Sequence, residues 1–311
     1  MKRWALEVNP FSTVRAQLGC SIAVRPLDPH TFPEADRAFI TVHGAVNEQE
    51  AGLDHMQVQY DDQSQELLIS AQKVNSSVTI DLAAPIKLFI TTQGKGNVQV
   101  KKMECDICKV QTEKGNCLLQ SVKGHQIEVR SLGGHIKGEG TIHGNVDIST
   151  CGDSSLDVKK LQGTKMNVST EHGPLKVKAI YAESSCISSC SGRIELGNVH
   201  CFLHDGSNNF LRISSQSGGI DVYVGDGGSA DIHTQEVCVR VPSSLKARVE
   251  LCGASVDVST DVVLHGEVNS TTEDQTTVTY VNGESPVDQW VKAQADRGSV
   301  RLKAQSWFET L

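Results

Sequence analysis

The ten cysteines are the most reactive side chains of the sequence, and two of them form a C-x-x-C motif. Cys105 and Cys108 have the spacing of redox and zinc sites, since both sulfurs of such a motif reach one point from a turn. No second C-x-x-C follows at zinc-ribbon spacing. Cys108 stands where later repeats carry Ile127 and Val146, so the sequence favours a small buried hydrophobic side chain there.

A second metal hypothesis joins one cysteine to two histidines. Cys105, His125 and His143 stand nine, ten and nine positions after glycines that open successive repeats. In a stack of repeats they would line one corner, where they could hold a soft metal. The alternative is ordinary exposed turn residues. We predict no metal site and no cofactor, and keep these residues as the only metal candidates.

Cysteines and histidines also cluster further along the chain, at Cys186, Cys190, Cys201, His200 and His204. A Cys/His nucleophile needs a third orienting group and an oxyanion pocket. No neighbouring residue pattern provides either, so we predict no nucleophilic catalysis here.

Two carboxylates are candidates for glycoside hydrolysis, which needs a pair on one face. Asp147 and Asp157 stand near matching positions of the repeat. The glycines at 225–228 and 133–134 precede no predicted helix and lack the Lys-Ser/Thr of a phosphate-binding loop, so they are predicted to form turns. We predict no catalytic residue and no enzyme.

The bulk properties limit the partners. The net charge is −8 and no Lys/Arg block is long, so no nucleic-acid binding is predicted. No stretch of about 18 apolar residues predicts a membrane span. We expect no signal peptide in the first residues, and reduced thiols in an intracellular compartment.

An internal repeat predicts the fold. Glycines recur at spacings of 19, 19, 18, 21 and 19 residues: Gly96, Gly115, Gly134, Gly152, Gly173 and Gly192. Apolar residues follow each glycine at fixed positions, and a Ser or Thr closes each repeat. The alternation predicts strands with one buried face, and each repeat is too short to bury that face alone. We therefore predict an all-β parallel β-solenoid (β-helix-like) with rungs of about 19 residues; an antiparallel meander or sandwich is the alternative.

Three segments are predicted. Residues 1–93 are a β-rich N-terminal entry cap, with a separate sandwich domain as the alternative; residues 94–260 hold the solenoid repeats; residues 261–311 form a C-terminal cap. Within that cap, 266–276 are expected to be a loop and 286–293 a short helix, because Ser285-Pro286 is typical of a helix start. Trp307 and Phe308 would cover the open end of the core.

The period fails once. Gly192 and Gly218 are 26 residues apart, neither one repeat nor two. We expect a shortened rung at 199–206, or a loop that replaces part of one turn.

Several segments resemble a known domain. Pro85-Ile-Lys-Leu88 followed by Gly-x-Val-x-Val lines resembles the "putative-adhesin" domain, a β-repeat domain of unknown function. An uncharacterised vertebrate "family with sequence similarity" protein that carries this domain is more similar still. Its matching segments here are Trp4-Ala-Leu-Glu-Val8, Leu118-Leu-Gln-Ser-Val-Lys-Gly124, Gly219-Ile-Asp-Val-Tyr-Val224, Val241-Pro-Ser-Ser-Leu245 and Gln305-Ser-Trp-Phe308. The resemblance implies a β-solenoid-like fold, a mitochondrial address and no known catalytic residue; a cytoplasmic location is the alternative.

Regular core patterning without concentrated chemistry predicts a non-catalytic interaction scaffold with an unknown protein partner. The alternatives are a carbohydrate-active β-solenoid enzyme and a thiol- or metal-binding protein.

Overall fold

The computed structural model describes residues 2–43, 56–71, 77–83, 85–201, 210–225, 229–243, 245–264, 266–272, 274–280 and 289–306. Within these ranges the chain consists of strands and turns, with no helix. The all-β prediction is therefore confirmed. The chain forms two compact units, residues 1–154 and 155–311. The three predicted segments stay a prediction.

Unit 1 is a stack of mostly parallel strands. Its strands are β1 Lys2–Glu7, β2 Thr13–Leu18, β3 Ser21–Pro26, β4 Arg37–His43, β5 Gln57–Asp61, β6 Glu66–Ala71, β7 Ser77–Leu82, β8 Lys87–Thr92, β9 Val98–Lys101, β10 Ile107–Thr112, β11 Cys117–Ser131 and β12 Ile136–Thr150. The long strands β11 and β12 each bend at mid-length and contribute one half to each of two sheets.

Each sheet of unit 1 takes one strand from every rung. The first sheet runs β1, β4, β7, β3, β9 and the first halves of β11 and β12. The second runs β5, β6, β2, β8, β10 and the second halves of β11 and β12. All pairs are parallel except those of β1, β4 and β5, which add antiparallel strands at one end. The predicted parallel stacking is confirmed.

The order of the rungs in the stack of unit 1 differs from their order along the chain. The β2–β3 pair lies between the β6–β7 rung and the β8–β9 rung in both sheets. The chain therefore places two strands from residues 13–26 inside the stack.

The predicted apolar positions face inward. Val98, Cys117 and Ile136 are in register on β9, β11 and β12, and each has about 1% exposure. Burial of such a side chain stabilises the fold by about 1.5–3 kcal/mol. Cys117 is a core residue, and so is the fully buried Cys108, as predicted.

The Ser that closes a rung has a structural role in at least two of the rungs. The hydroxyl of Ser131 is buried and accepts a hydrogen bond at 2.8 Å from the N–H of Gly134. Ser189 accepts the same bond from Gly192 at 2.8 Å. The hydroxyl therefore satisfies a backbone donor of the buried turn, which would otherwise be costly to bury.

Unit 2 has the same kind of architecture. Its strands are β13 Leu156–Thr170, β14 Leu175–Ser189, β15 Ile194–Cys201, β16 Phe210–Ser215, β17 Ile220–Val224, β18 Ser229–Thr234, β19 Val237–Val241, β20 Arg248–Gly253, β21 Ser255–Val258, β22 Glu267–Thr271, β23 Thr276–Tyr280, β24 Trp290–Ala295 and β25 Ser299–Ala304.

Two sheets also build unit 2. The first runs from the first halves of β13 and β14 through β15, β17, β19, β25 and β21, all parallel. The second runs from the second halves of β13 and β14 through β16, β18, β24 and β20. Antiparallel β23 and β22 then extend the second sheet.

A late pair of strands lies inside the stack of unit 2. The β24–β25 rung lies between the β18–β19 rung and the β20–β21 rung. Its inward residues Ala293 and Leu302 are fully buried. Residues 290–304 are thus part of the core of unit 2.

The expected shortened rung is wrong. β15 pairs with the first half of β14, from Leu175 to Ala182, and β16 pairs with the second half, from Ser184 to Ser189. Together β15 and β16 form a complete rung, and residues 202–209, which lie between them in sequence, are outside the described ranges. The spacing of 26 residues therefore reflects additional residues between two strands and not a missing strand.

Two predictions for the C-terminal segment are also wrong. The expected loop at 266–276 contains β22, which forms an antiparallel hairpin with β23. The expected helix at 286–293 falls partly outside the described residues, and 290–293 belong to strand β24. Alternating burial against β18 and β20 determines the conformation there and overrides the local helix signal. Trp307 and Phe308 lie outside the described residues.

Candidate functional site

A polar groove of about 440 Å³ opens on the outer face of the first sheet of unit 2. Its lining residues come from β14, β15, β17 and β19 and the segment after β25: Lys176, Val177, Lys178, Glu195, Leu196, Gly197, Asp221, Arg240 and Gln305. Parallel strands hold these side chains in fixed register, so the groove belongs to a rigid part of the unit.

The groove forms where outward side chains are missing. Gly197 occupies an outward position, and a Cβ there would lie 2.1 Å from the carbonyl oxygen of Lys178. The register of β15 against β17 shifts at this glycine, so that Asn198 pairs with Tyr223. Tyr223 is in register with Arg240 and is only 2% exposed, so it presents almost no surface to the groove. The bulge at Gly197 thus contributes to the depression.

Arg240 is the anchored cation of the groove. Its Nε donates to Oδ1 of Asp221 at 2.6 Å, one terminal nitrogen donates to Gln305 at 2.8 Å and the other to the carbonyl of Leu196 at 2.9 Å. Its side chain is 21% exposed. These bonds use three of the five guanidinium N–H donors and fix the orientation of the other two.

The carboxylates beside the groove have cationic partners of their own. Glu195 lies 2.9 Å from Arg193 and 3.6 Å from Lys176, and Asp221 also lies 4.0 Å from Arg193. Acids and bases thus alternate along this part of the face. Such an arrangement can position a polar or charged ligand, but it has no nucleophile with an orienting base.

The structure does not bring Cys105, His125 and His143 into one column. A Cβ at Gly124 would lie 2.4 Å from the carbonyl oxygen of Cys105, so Gly124 is its neighbour in the next rung. His125 instead lies beside Asp106, with Nδ1 to Oδ1 3.1 Å, and His143 is in register with Lys123. Cys105 is also buried, at 6% exposure.

The register explains this separation. Lys123 pairs with His143, and Gln126 pairs with Asn145. Two residues lie between the paired positions on β11, but only one lies between them on β12. Cys105 is therefore next to Gly124, His143 next to Lys123 and His125 next to Asp106, so the three residues occupy three different columns. Nowhere in the described ranges do three His, Cys, Asp or Glu side chains group in a way that could hold a metal ion.

Three buried cysteines have raised thiol pKa values. Cys108 lies close to Cys105, and a hydrogen bond between the two thiols together with burial raises the pKa of the Cys108 thiol well above its ordinary value. Burial raises the pKa of Cys117 to about 12 and that of Cys20 to about 11. Because the thiolate is the nucleophile and metal ligand, these residues are poor candidates for either chemistry.

The second Cys/His cluster is only partly described. Cys186 is exposed on β14, and Cys190 is exposed in the following turn. The His200 ring stacks on Tyr181, with centroids 5.2 Å apart. His204 lies outside the described residues, as does the side chain of Cys201.

The two candidate carboxylates occupy different strand positions. Asp147 lies on the second half of β12, in register with Glu128, and is half-buried. Asp157 lies on the first half of β13, in register with Lys176, and is exposed. Gly133 and Gly134 lie in the turn before β12, as predicted, while 226–228 lie outside the described residues.

The groove was missed by sequence reasoning. One signal was available in the sequence. Gly197 stands at the repeat position that the outward Lys178 occupies in the preceding rung. The burial of Tyr223 has no such signal. In the described part of the chain no helix has the length and apolar character needed to cross a bilayer.

Comparison with known proteins identifies a family that matches the repeats. The family described as Toastrack DUF4097 matches residues 123–303, more than half of the chain. A "putative adhesin" of Parabacteroides merdae is 13% identical, covering 97% of this chain and 95% of that chain with a TM-score of 0.44. A "putative adhesin" of Parabacteroides distasonis is 11% identical, covering 97% and 96%, with a TM-score of 0.43. A "putative lipid binding protein" of Parabacteroides distasonis is 12% identical, covering 77% and 93%, with a TM-score of 0.47.

Proposed function

The chain belongs to the Toastrack DUF4097 family, and we propose that it acts as a non-catalytic protein-interaction scaffold. One observation carries the proposal: the first sheet of unit 2 presents outward side chains in register on successive parallel strands, around a polar groove of about 440 Å³. Flat ladders of this kind suit extended partners.

The charges on this face favour a binding role over catalysis. Arg240 is held by Asp221, Gln305 and Leu196, and Glu195 is shared by Lys176 and Arg193. Ordered charges position a partner and exclude wrong ones through like-charge contacts. Family membership supports the fold and does not assign the function.

We also propose an intracellular location, with mitochondria favoured by the resemblance to the vertebrate protein and the cytoplasm as the alternative. The nine cysteines described in the structure are all free, which fits a reducing compartment. Microscopy of the tagged full-length chain with mitochondrial and secretory markers tests this location; retention in the secretory pathway would contradict it.

Capture from native extract tests the scaffold. The full chain and a Lys178→Glu variant would be used as baits, with Lys246→Glu as a matched exposed-lysine control in the same unit. We expect at least one protein to be enriched by the wild type and the control and depleted with Lys178→Glu. A bait that enriches nothing above background, or the same proteins with all three baits, would contradict the proposal.

A further inference from the structure

One column of outward residues in unit 2 is cationic. Lys159 on β13 and Lys178 on β14 follow Val158 and Val177, which are paired in register. Arg240 on β19 and Lys303 on β25 are likewise in register. Between them lie Gly197 on β15 and the buried Tyr223 on β17, which add no charge. We call Lys159, Lys178, Arg240 and Lys303 the cationic stripe.

Most of the stripe is not neutralised. Lys159, Lys178 and Lys303 are exposed, and no ion pair joins them to any residue in the described ranges. The stripe contains no carboxylate. The adjacent column contains four carboxylates, Asp157, Glu195, Asp221 and Asp257. Of these, Glu195 and Asp221 contact Arg193 as well as their own partners. A chain of net charge −8 thus presents a line of positive charge across its strands.

We propose that the cationic stripe binds an extended acidic peptide segment of a partner protein, lying across the strands with its carboxylates directed at Lys178 and Arg240. This inference rests on the proposed scaffold function and names its partner chemistry. The polar groove lies between these two cations and receives the backbone of the segment.

The spacing of the stripe fits this partner. Lys178 and Arg240 are separated by three strand spacings, through β15 and β17, or about 14 Å. Four residues of extended chain also span about 14 Å, and residues i and i+4 point to the same side. Lys159 and Lys303 lie one strand spacing further out, near the carboxylates at i−2 and i+6.

Other polyanions fit less well. Proteins that bind single-stranded nucleic acid stack bases on aromatic side chains, and the stripe has none. The four cations of the stripe form a single line, two at each end of the groove. A membrane surface would favour a broad basic patch instead.

Fluorescence anisotropy with the full-length protein tests the inference. The probe is a labelled peptide of alternating Glu and Ser, and its controls are the same peptide with Gln in place of Glu and one with all Glu residues in a single block. We expect the alternating peptide to bind at low salt, at least about fivefold more tightly than the Gln peptide. Lys178→Gln and Lys303→Gln should each weaken binding about three- to fivefold, the size of one exposed ion pair. Lys246→Gln should leave binding unchanged.

Four results would overturn the inference: no binding of the alternating peptide, equal binding of the blocked peptide, equal loss with Lys246→Gln, or tighter binding of a single-stranded oligonucleotide or anionic vesicles of matched charge. If any of these results is obtained while Lys178→Glu still abolishes partner capture, the proposed scaffold function remains supported. Only the acidic peptide as its partner is then overturned.

Discussion

The backbone N–H of Asn116 donates a hydrogen bond to Oδ1 of Asn97, one rung away, at 2.7 Å. Asn116 repeats the contact by accepting from the N–H of His135 at 2.9 Å. Ser21, on the inserted β3, accepts from the N–H of Asn97 at 3.1 Å. A ladder of side chains therefore ties the turns of unit 1 together along the stack.

Replacing Asn116 by Ala should lower the free energy of unfolding by about 1 kcal/mol, because the N–H of His135 loses its protein acceptor and the turn is exposed to water. Urea denaturation followed by circular dichroism measures the change. Lys114→Ala in the same turn is the control, since its side chain makes no bond in the described structure. Equal shifts for the two variants would show that the ladder does not stabilise the turn.

The two adjacent glycines of one turn should respond differently to substitution. A Cβ at Gly134 would lie 1.9 Å from the carbonyl oxygen of Gly115, so Gly134→Ala must displace backbone and should cost more than about 2 kcal/mol. A Cβ at Gly133 would meet only ordinary contact, 3.4 Å from the carbonyl of Glu113. Thermal unfolding of both variants checks this, and similar melting temperatures would argue against the tight stacking of the turns.

The β24–β25 rung should be essential for the stability of unit 2. Leu302 is fully buried and in register with Val239 and Val258 on either side, so Leu302→Ala should destabilise the unit by about 2–5 kcal/mol. Lys303→Ala, the next residue and exposed, should have little effect. Limited proteolysis with mass spectrometry would locate the loss in residues 155–311. Protection equal to the wild type would contradict the inserted position of β25.

Stability should fall at alkaline pH through the buried thiols. The pKa of Cys117 is raised from 9.0 to about 12 by burial, so the folded state keeps a proton that the unfolded state releases. The contribution of Cys117 to the free energy of unfolding is complete below pH 9. It is lost as the pH rises towards 12, at up to about 1.4 kcal/mol per pH unit.

Urea midpoints measured between pH 8 and about 10.5 would test this sign, since 9.0 is the ordinary value of the thiol. Cys117→Val should flatten the decline relative to the wild type, whereas replacing the exposed thiol in Cys186→Ser should not. Parallel curves for the wild type and Cys117→Val would mean that Cys117 is not a buried protonated thiol.

The sequence was sufficient for the repeating part of the fold. Val98, Cys117 and Leu175 stand two places after their glycines, and all are buried. The alternation of apolar and polar residues is a local property of each strand, so it can be read without knowing the partner strand. The 19-residue period then indicates which strands are neighbours.

Insertion of β2–β3 and β24–β25 could not be predicted in the same way. Each pair contacts rungs that lie far away in sequence, such as β24 with β18 and β20, and no period relates those segments. The helix prediction at 286–293 failed for this reason, because the strand pairing of Trp290–Ala295 is set by distant residues.

The candidate site needed the structure as well. Its cations come from four strands of residues 156–304, and the groove depends on the bulge at Gly197. Two register shifts of one residue between β11 and β12 likewise disturb the predicted Cys105, His125 and His143 column. Shifts of one position reverse the direction of a side chain, and local patterns do not reveal them.

The inserted β24–β25 rung has a consequence for synthesis of the protein on the ribosome. The β20–β21 rung bonds to the parallel stack through β24 and β25, so residues 248–258 are translated before the strands they must rest on exist. Unit 2 therefore cannot acquire its final order while the nascent chain emerges. Its last rungs assemble only after residues 290–304 have left the exit tunnel, and until then the apolar side chains of β20 await their partner.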